Sequence, residues 1–470
     1  MSTRHGWRIL FLLLLAGCRA APARVAACSN PDTATPRSVI GVRQIVVDTA
    51  AETARHPVRN LLDALLEPAL AVQSSTYGLV HNVLHRLAPA PRDICPERSA
   101  VDPDELEAVL KRAADDELFP AEIALHIDAD DALAALDAAV DGATQRIDVL
   151  MYLWGGDPIG WHLAQKLAAR ASPQLPVRVL IDGGGNLFQG EPKDATAGEV
   201  NAAVCWLAQQ PCVQVVRVRN PYARFDHRKL VLVDGRLAWS GGRNFTWEAF
   251  RIAHDLSYTL VGPLTGVMAE RYERYWQEQG GPPGPPTPPP APADAANAQA
   301  RLVRTRLYES NLARTVYAAV RNARHHIYVE NPYFSDAKLL VELEHARRRG
   351  VDVRVVLTLD TGSSAHDAAN RVTANRLLRD RIRVYLYPSR THVKAMAVDG
   401  CWAYLGTGNF DPLSLRHNRE LGVAVSHGPL VAEVEEQLFL TDFRPEWELC
   451  EPLRLAGYEY IAALLARVAL

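Results

Sequence analysis

Apolar positions along this chain change period several times, and the changes divide it. From Val58 they recur at helical spacing: Val58, Leu61, Leu62, Leu65 and Leu66, then Leu79, Val80, Val83, Leu84 and Leu87, with Pro68 between the two runs. This predicts helices packed on a core. Their polar face carries few cations, which disfavours a membrane-surface role. From about Glu122, short apolar runs alternate with helical patterns. Arg146–Trp154 reads as a buried strand, Trp161–Ala171 as a helix, and Val177–Gly185 as a strand ending in glycines. The triple glycine lacks the Walker Lys-Ser/Thr and the Rossmann spacing, so it reads as a turn at a cleft rim.

After a Pro-rich stretch that should be extended and semi-rigid (280–297), the pattern returns. A helix at Asn311–Asn322, the strand HHIYVENPY, a helix at Asp336–Arg349 and a strand at Val351–Leu359 follow in turn. A helix near Ala365–Arg379 and a strand at Arg381–Tyr387 come next, and Tyr458–Val468 reads as a short amphipathic helix. Strands alternating with helices at this spacing imply α/β layers. Two stretches stand apart. Leu230–Val233 and Ala395–Val398 are each followed by Asp-Gly and a second apolar run, the signature of a β-hairpin.

The chemistry sits at these hairpins. His227 and Lys229 precede the first, His392 and Lys394 the second; Asp234 and Asp399 occupy the turns. Asn244 and Asn409 each lie 17 positions after the His, and an acid, Asp255 or Glu420, lies 11 further on. Four residue types repeated at matched spacings point to one duplicated site. On a strand, residues two apart face the same way, so His and Lys project together. Phosphodiester cleavage needs attack on phosphorus and a proton for the leaving alkoxide, and imidazole can do either near neutrality. The lysines would neutralise phosphoryl oxygens and the asparagines would donate hydrogen bonds to them. Asp255 and Glu420 would orient the imidazoles. Asp234 and Asp399 are expected to be structural, fixing the turns. Gly-rich stretches before each Asn let backbone N–H groups approach an anion closely.

These residues resemble the phospholipase D superfamily, whose signature is HxKxxxxD, six residues, then GSxN, usually twice per chain. Gly242 and Thr407 stand at the Ser position. The run AHDLSYTLVGP, the ENPYF stretch (Glu330–Phe334) and Asn409–Glu420 are similar to the bacterial cardiolipin synthase branch. The resemblance covers roughly residues 120 to 445. It implies an α/β fold of two phospholipase D-like sandwich lobes with a pseudo-twofold relation, both motifs meeting in one cleft. It also implies a phosphohistidine intermediate with His227 as nucleophile and His392 as acid, and no metal or organic cofactor. The implied function is a phosphatidyltransferase moving a phosphatidyl group from phosphatidylglycerol or another phospholipid to a lipid hydroxyl. Hydrolysis of phospholipid to phosphatidic acid is the alternative. A periplasmic nuclease and an inactive envelope lipoprotein are more distant readings.

Composition narrows these choices. The net charge of −3 leaves no general basic surface for a polyanion, so no nucleic acid partner is expected. The substrate is expected at a membrane surface, and one chain carries both motifs, so a monomer suffices. Arg4 and Arg8 precede a short apolar run, and Leu15-Ala16-Gly17-Cys18 resembles a bacterial lipobox. This implies lipidation at Cys18 and a periplasm-facing anchor, with the outer membrane favoured because Arg19, not Asp, follows. Of the other six cysteines, Cys205 and Cys212 are the expected disulfide pair, and none has metal-ligand spacing. The expected organisation is therefore a signal peptide (1–17), a tether and helical extension (18–118), a first lobe (119–279), a Pro-rich linker (280–298) and a second lobe (299–470).

Overall fold

The computed structural model describes residues 102–463 apart from 190–201, 221–223, 285, 287, 307–308 and 461, together with positions 47, 49–51 and 54. The signal peptide, Cys18, Cys28, Cys95, the helical run at 58–87 and the end of the Tyr458–Val468 segment lie outside the described residues.

The first half supplies β1 (Phe119–His126), β2 (Ile147–Met151), β3 (Val177–Asp182), β4 (Val213–Val218), β5 (Leu230–Val233), β6 (Leu237–Gly241) and β7 (Ser257–Val261). The second supplies β8 (Ala298–Arg306), the short β9 (Glu309–Ser310), β10 (His326–Glu330), β11 (Asp352–Leu357), β12 (Arg383–Leu386), β13 (Ala395–Val398), β14 (Trp402–Gly406) and β15 (Glu420–Ser426). In the first half the strands lie in the order β1-β7-β6-β5-β2-β3-β4, and in the second β8-β15-β14-β13-β10-β11-β12. The two orders correspond strand for strand. They meet where β1 pairs antiparallel with β8, Phe119 opposite Ala300 and Ala121 opposite Ala298. The lobes thus share one continuous sheet, related by a pseudo-twofold through that central pair.

Both hairpins form at the Asp-Gly turns. Asp234 and Gly235 have φ of 56° and 65°, and Asp399 and Gly400 have 56° and 70°, the left-handed pair that suits a tight hairpin. Arg236 N–H bonds back to Val233 O at 2.9 Å, and Cys401 N–H to Val398 O at 3.1 Å.

Three apolar clusters hold the layers. One covers a single face of the joined sheet and includes residues of both lobes: Leu232, Ala238 and Leu260 with Val423 and Val425, roofed by Met268, Tyr272 and Trp276 and by Leu438 and Phe439. The other two lie on the opposite face, one per lobe. Each fully buried Val, Leu or Met contributes about 1.5–3 kcal/mol, so separating the lobes would expose a large apolar area. The helix Pro103–Ala114, last part of the N-terminal extension, packs Leu106 and Leu110 into the second lobe's cluster beside Leu312 and Val316.

Four details differ from the sequence reading. The helix expected from Trp161 begins at Pro158, because Asp157 caps it by accepting from Gly160 N–H at 2.9 Å. The triple glycine opens a short helix, Gly183–Gln189, in place of a plain turn, with Asp182 Oδ1 accepting from Gly185 N–H at 2.5 Å. A side chain at Gly185 would put its Cβ 2.1 Å from the Tyr152 ring. The Pro-rich segment folds back on the helix Pro263–Glu278: Trp276 Nε1 donates to Pro282 O at 2.8 Å and Gly284 N–H to Glu273 Oε1 at 3.0 Å. The expected Cys205–Cys212 disulfide is not formed. Cys205 sits on the helix Ala202–Leu207, while Cys212 enters β4 at a φ of 60°. Among the described residues no helix is long and apolar enough to cross a membrane.

Candidate active site

Each His-x-Lys run enters its hairpin strand in extended form and bonds to the opposite lobe before joining the ladder. His227 N–H donates to Arg419 O at 3.0 Å, and Arg419 N–H to Phe225 O at 2.9 Å. By the same pattern, His392 N–H donates to His254 O at 2.7 Å and His254 N–H to Arg390 O at 2.9 Å. Arg419 and His254 are the residues just before Glu420 and Asp255. These two short parallel bridges therefore carry each acid against the other lobe's histidine.

The pairing that results is crossed. His227 Nδ1 lies 3.0 Å from both Oε1 and Oε2 of Glu420, from the second lobe. His392 Nδ1 lies 2.7 Å from Oδ2 of Asp255, from the first. With Nδ1 committed to a carboxylate, Nε2 of each ring is the atom left for chemistry. Lys229 Nζ donates to His227 O at 2.7 Å and Lys394 Nζ to His392 O at 2.6 Å. Each ammonium retains further N–H groups for a ligand. Asn244 and Asn409 follow the second hairpin strands and are buried, and the Oδ1 of each lacks a hydrogen-bond partner among the described residues.

The position occupied by Ser in the family signature resolves differently in the two halves. Thr407 Oγ1 donates to Glu420 Oε2 at 2.5 Å and accepts from Leu421 N–H at 3.0 Å. At Gly242 no side chain fits: an added Cβ would stand 2.1 Å from Asp255 Oδ1. Asp255, one methylene shorter than Glu420, takes the space in which a side chain at 242 would begin. Its position is further fixed by Leu256 N–H, which donates to its Oδ1 at 2.8 Å.

Burial shifts every charge in the cleft. Desolvation pushes Lys229 down to about 7, against the pull of Glu420 and Asp255, and puts Lys394 well below its usual range with Lys229 adding repulsion. His227 is lowered by burial and then by Lys229 and Lys394, and His392 falls to about 4 through burial and Lys394. That each lysine acts on both lobes' groups shows one electrostatic unit. The acids diverge. Burial raises Glu420 to about 7, whereas burial of Asp255 is outweighed by His392, Lys394 and Arg243, leaving it below its ordinary value. The free cleft is desolvated and rich in donors, prepared for an anion whose charge would restore the ammonium and imidazolium forms.

The motif aspartates lie outside this cluster. Asp234 accepts from Thr144 N–H and Oγ1, Gln145 N–H and Arg146 N–H at 2.7–2.9 Å, pinning the first hairpin to the start of β2. Asp399 accepts from the N–H groups of Arg324, His325 and His326 at 2.7–2.9 Å, at the start of β10. The sequence reading missed Tyr152. Its ring meets the His227 imidazole edge-on at 4.6 Å between centroids and lies 4.9 Å from Lys229 Nζ. It supplies a wall and a cation–π contact. Its signal was present only as an aromatic near the end of a predicted buried strand.

Two lobes on one sheet, with crossed His–acid pairs and a lysine beside each, define the phospholipase D class of histidine phosphodiester enzymes. The family described as "Cardiolipin synthase, PLD-like domain" matches residues 136–277 and 316–439, more than half of the chain, and the chain belongs to it. It is 27% identical over 313 residues to cardiolipin synthase B of Escherichia coli (strain K12), covering 62% of this chain and 73% of that protein. It is 25% identical over 320 residues to cardiolipin synthase A of Escherichia fergusonii, covering 65% of each. The fold is similar to that of phosphatidylserine synthase from Haemophilus influenzae Rd KW20, with a TM-score of 0.58 at 13% identity, over 77% of this chain and 96% of that one.

Proposed function

We propose that this protein is a phosphatidyltransferase of the cardiolipin synthase type, working through a phosphatidyl-histidine on a phospholipid at a membrane surface. The crossed His–acid pairing carries the reading, since it sets two imidazoles, each against a differently tuned carboxylate, around one anion site. The asymmetry of the two carboxylates supports a division of roles. Asp255 is the firmly ionised carboxylate, so once the phosphoryl anion is bound it favours protonation of His392, the general acid. Glu420 bears less charge and favours a neutral His227 with Nδ1–H donated to it, leaving Nε2 free to attack phosphorus.

In the first step His227 Nε2 bonds to phosphorus while the P–O bond to the headgroup alcohol breaks, and His392 gives that oxygen its proton. In the second, neutral His392 takes the proton of an incoming lipid hydroxyl, whose oxygen attacks phosphorus and releases His227. Lys229, Lys394, Asn244 and Asn409 hold the phosphoryl oxygens throughout. Lys229, Lys394 and Glu420 are at most 1% exposed, and such exclusion of water favours transfer to an alcohol over hydrolysis. The lipobox-like Leu15–Cys18 run supports a lipid anchor at Cys18 facing the periplasm, with the outer membrane favoured. Detergent-solubilised protein given labelled phosphatidylglycerol, with and without phosphatidylethanolamine, should yield cardiolipin, lost in both His227→Ala and His392→Ala. Phosphatidic acid as the main product would replace transfer with hydrolysis.

A further inference from the structure

A second cluster of ligand-type side chains lies beside the cleft and takes no part in the chemistry above. His254 precedes Asp255, Glu330 ends β10, and Asp442 closes the short helix Leu440–Asp442. Their ligand atoms all lie within 4.8 Å of one another. His254 Nε2 is 3.0 Å from Asp442 Oδ2 and 3.8 Å from Glu330 Oε1. A tetrahedral zinc ion with bonds of about 2.0 Å sets neighbouring ligand atoms about 3.3 Å apart. The two separations bracket that value, so modest side-chain rotation would complete the geometry.

A second observation points to a ligand. Glu330 is fully buried, and while Oε1 accepts from Thr391 Oγ1 at 2.5 Å, Oε2 has no hydrogen-bond partner among the described residues. Asp442 is buried beside it, and neither carboxylate forms an ion pair with a lysine or arginine among the described residues. Adjacent buried carboxylates must acquire either a cation or a shared proton. The imidazole Nε2 of His254, directed at the same point, favours a metal cation, because it adds a third ligand from a third segment. The His254 ring is held by stacking on Tyr387, with centroids 4.8 Å apart and an interplanar angle of 8°.

We propose that His254, Glu330 and Asp442 form a zinc-type divalent-cation site, with a water in the open position. The ion is structural and lies outside the phosphoryl chemistry. His254 carries the carbonyl that receives His392 N–H, and Thr391, bonded to Glu330, is the residue before His392. The ion would therefore tie the entry to β7, the end of β10 and the C-terminal helix to the segment that presents His392.

The test uses the full chain, stripped with chelator and dialysed against zinc chloride, with bound metal measured by mass spectrometry. Wild type should retain one zinc per chain and melt at a higher temperature than the stripped protein. Asp442→Asn and His254→Asn, checked for fold by circular dichroism, should each lose the zinc and the melting shift. Cobalt in place of zinc should give the weak visible bands of nitrogen and oxygen ligands. A wild type that retains no zinc, folded variants that keep it, or strong thiolate-to-cobalt absorption from the cysteines would each overturn the proposal, the first in favour of a proton shared by Glu330 and Asp442.

Discussion

Restoring the family's serine at Gly242 should damage this protein. The Cβ of Gly242→Ser would stand 2.1 Å from Asp255 Oδ1, well inside the ordinary contact distance. A flexible surface carboxylate would swing away at small cost. Asp255 is fully buried, bonded to His392 Nδ1 at 2.7 Å and to Leu256 N–H at 2.8 Å, so displacement breaks the bond that orients the general acid. Hydrogen bonds to charged groups are worth about 1.5–3 kcal/mol, which corresponds to about a 10- to 150-fold fall in kcat/KM. The alkaline limb of the kcat profile should also move to lower pH, because His392 would lose the carboxylate that stabilises its imidazolium. The assay is steady-state transfer from labelled phosphatidylglycerol in mixed micelles, with thermal melting to confirm folding. Thr407→Ser, which keeps the hydroxyl on Glu420, serves as control and should change the rate less than about threefold. A folded Gly242→Ser with wild-type kcat/KM would refute the steric argument.

Other substitutions separate the remaining roles. Thr407→Ala removes the bond to Glu420 and strands Leu421 N–H, for about 1–2 kcal/mol, so kcat/KM should fall about 5- to 30-fold; no change would detach Thr407 from His227 positioning. Asp255→Asn should lower kcat by about 10²–10⁴-fold while substrate KM moves little, and a purely KM effect would argue against the crossed pairing. Lys229 is drawn down to about 7 by burial, and its ammonium form is the one that holds phosphate. In the free enzyme kcat/KM, already falling above about 4 as His392 loses its proton, should therefore decline more steeply as pH rises through about 7. The bound anion restores the ammonium, so kcat should decline only at higher pH, and coincident limbs would contradict this. Asp234→Ala loses four hydrogen bonds and should destabilise folding by about 2–4 kcal/mol, read by denaturant midpoint. Loss of kcat without loss of stability would make Asp234 a participant in the chemistry.

Much of the fold was legible because its signals are local. The Asp-Gly turns need left-handed φ and announce themselves, and the strand–helix alternation of the second half appears within three residues of its expected bounds. The expected helix from Trp161 missed only the turn supplied by Asp157 and Pro158. What the sequence withheld was partner choice. Asp255 and Glu420 stand at identical spacings from both motif histidines' own halves, so pairing within a lobe and pairing across lobes look the same on paper. The pseudo-twofold packing decides for the crossed arrangement. The same packing explains Gly242, which in the sequence is only a departure from the signature until Asp255 is seen in the space a side chain would take. The metal-ligand cluster was invisible for a related reason: His254, Glu330 and Asp442 come from segments far apart in sequence.

The most direct test of a single shared site with divided roles uses a phosphatidyl ester of p-nitrophenol, whose leaving group needs no proton. Mixed with His392→Ala, it should release p-nitrophenol in a burst equal to the protein present. Alkaline quenching and peptide mass mapping should then find the phosphatidyl group on His227. His227→Ala should give no burst. A burst in His227→Ala with label on His392, or equal slow turnover in both variants, would contradict the account.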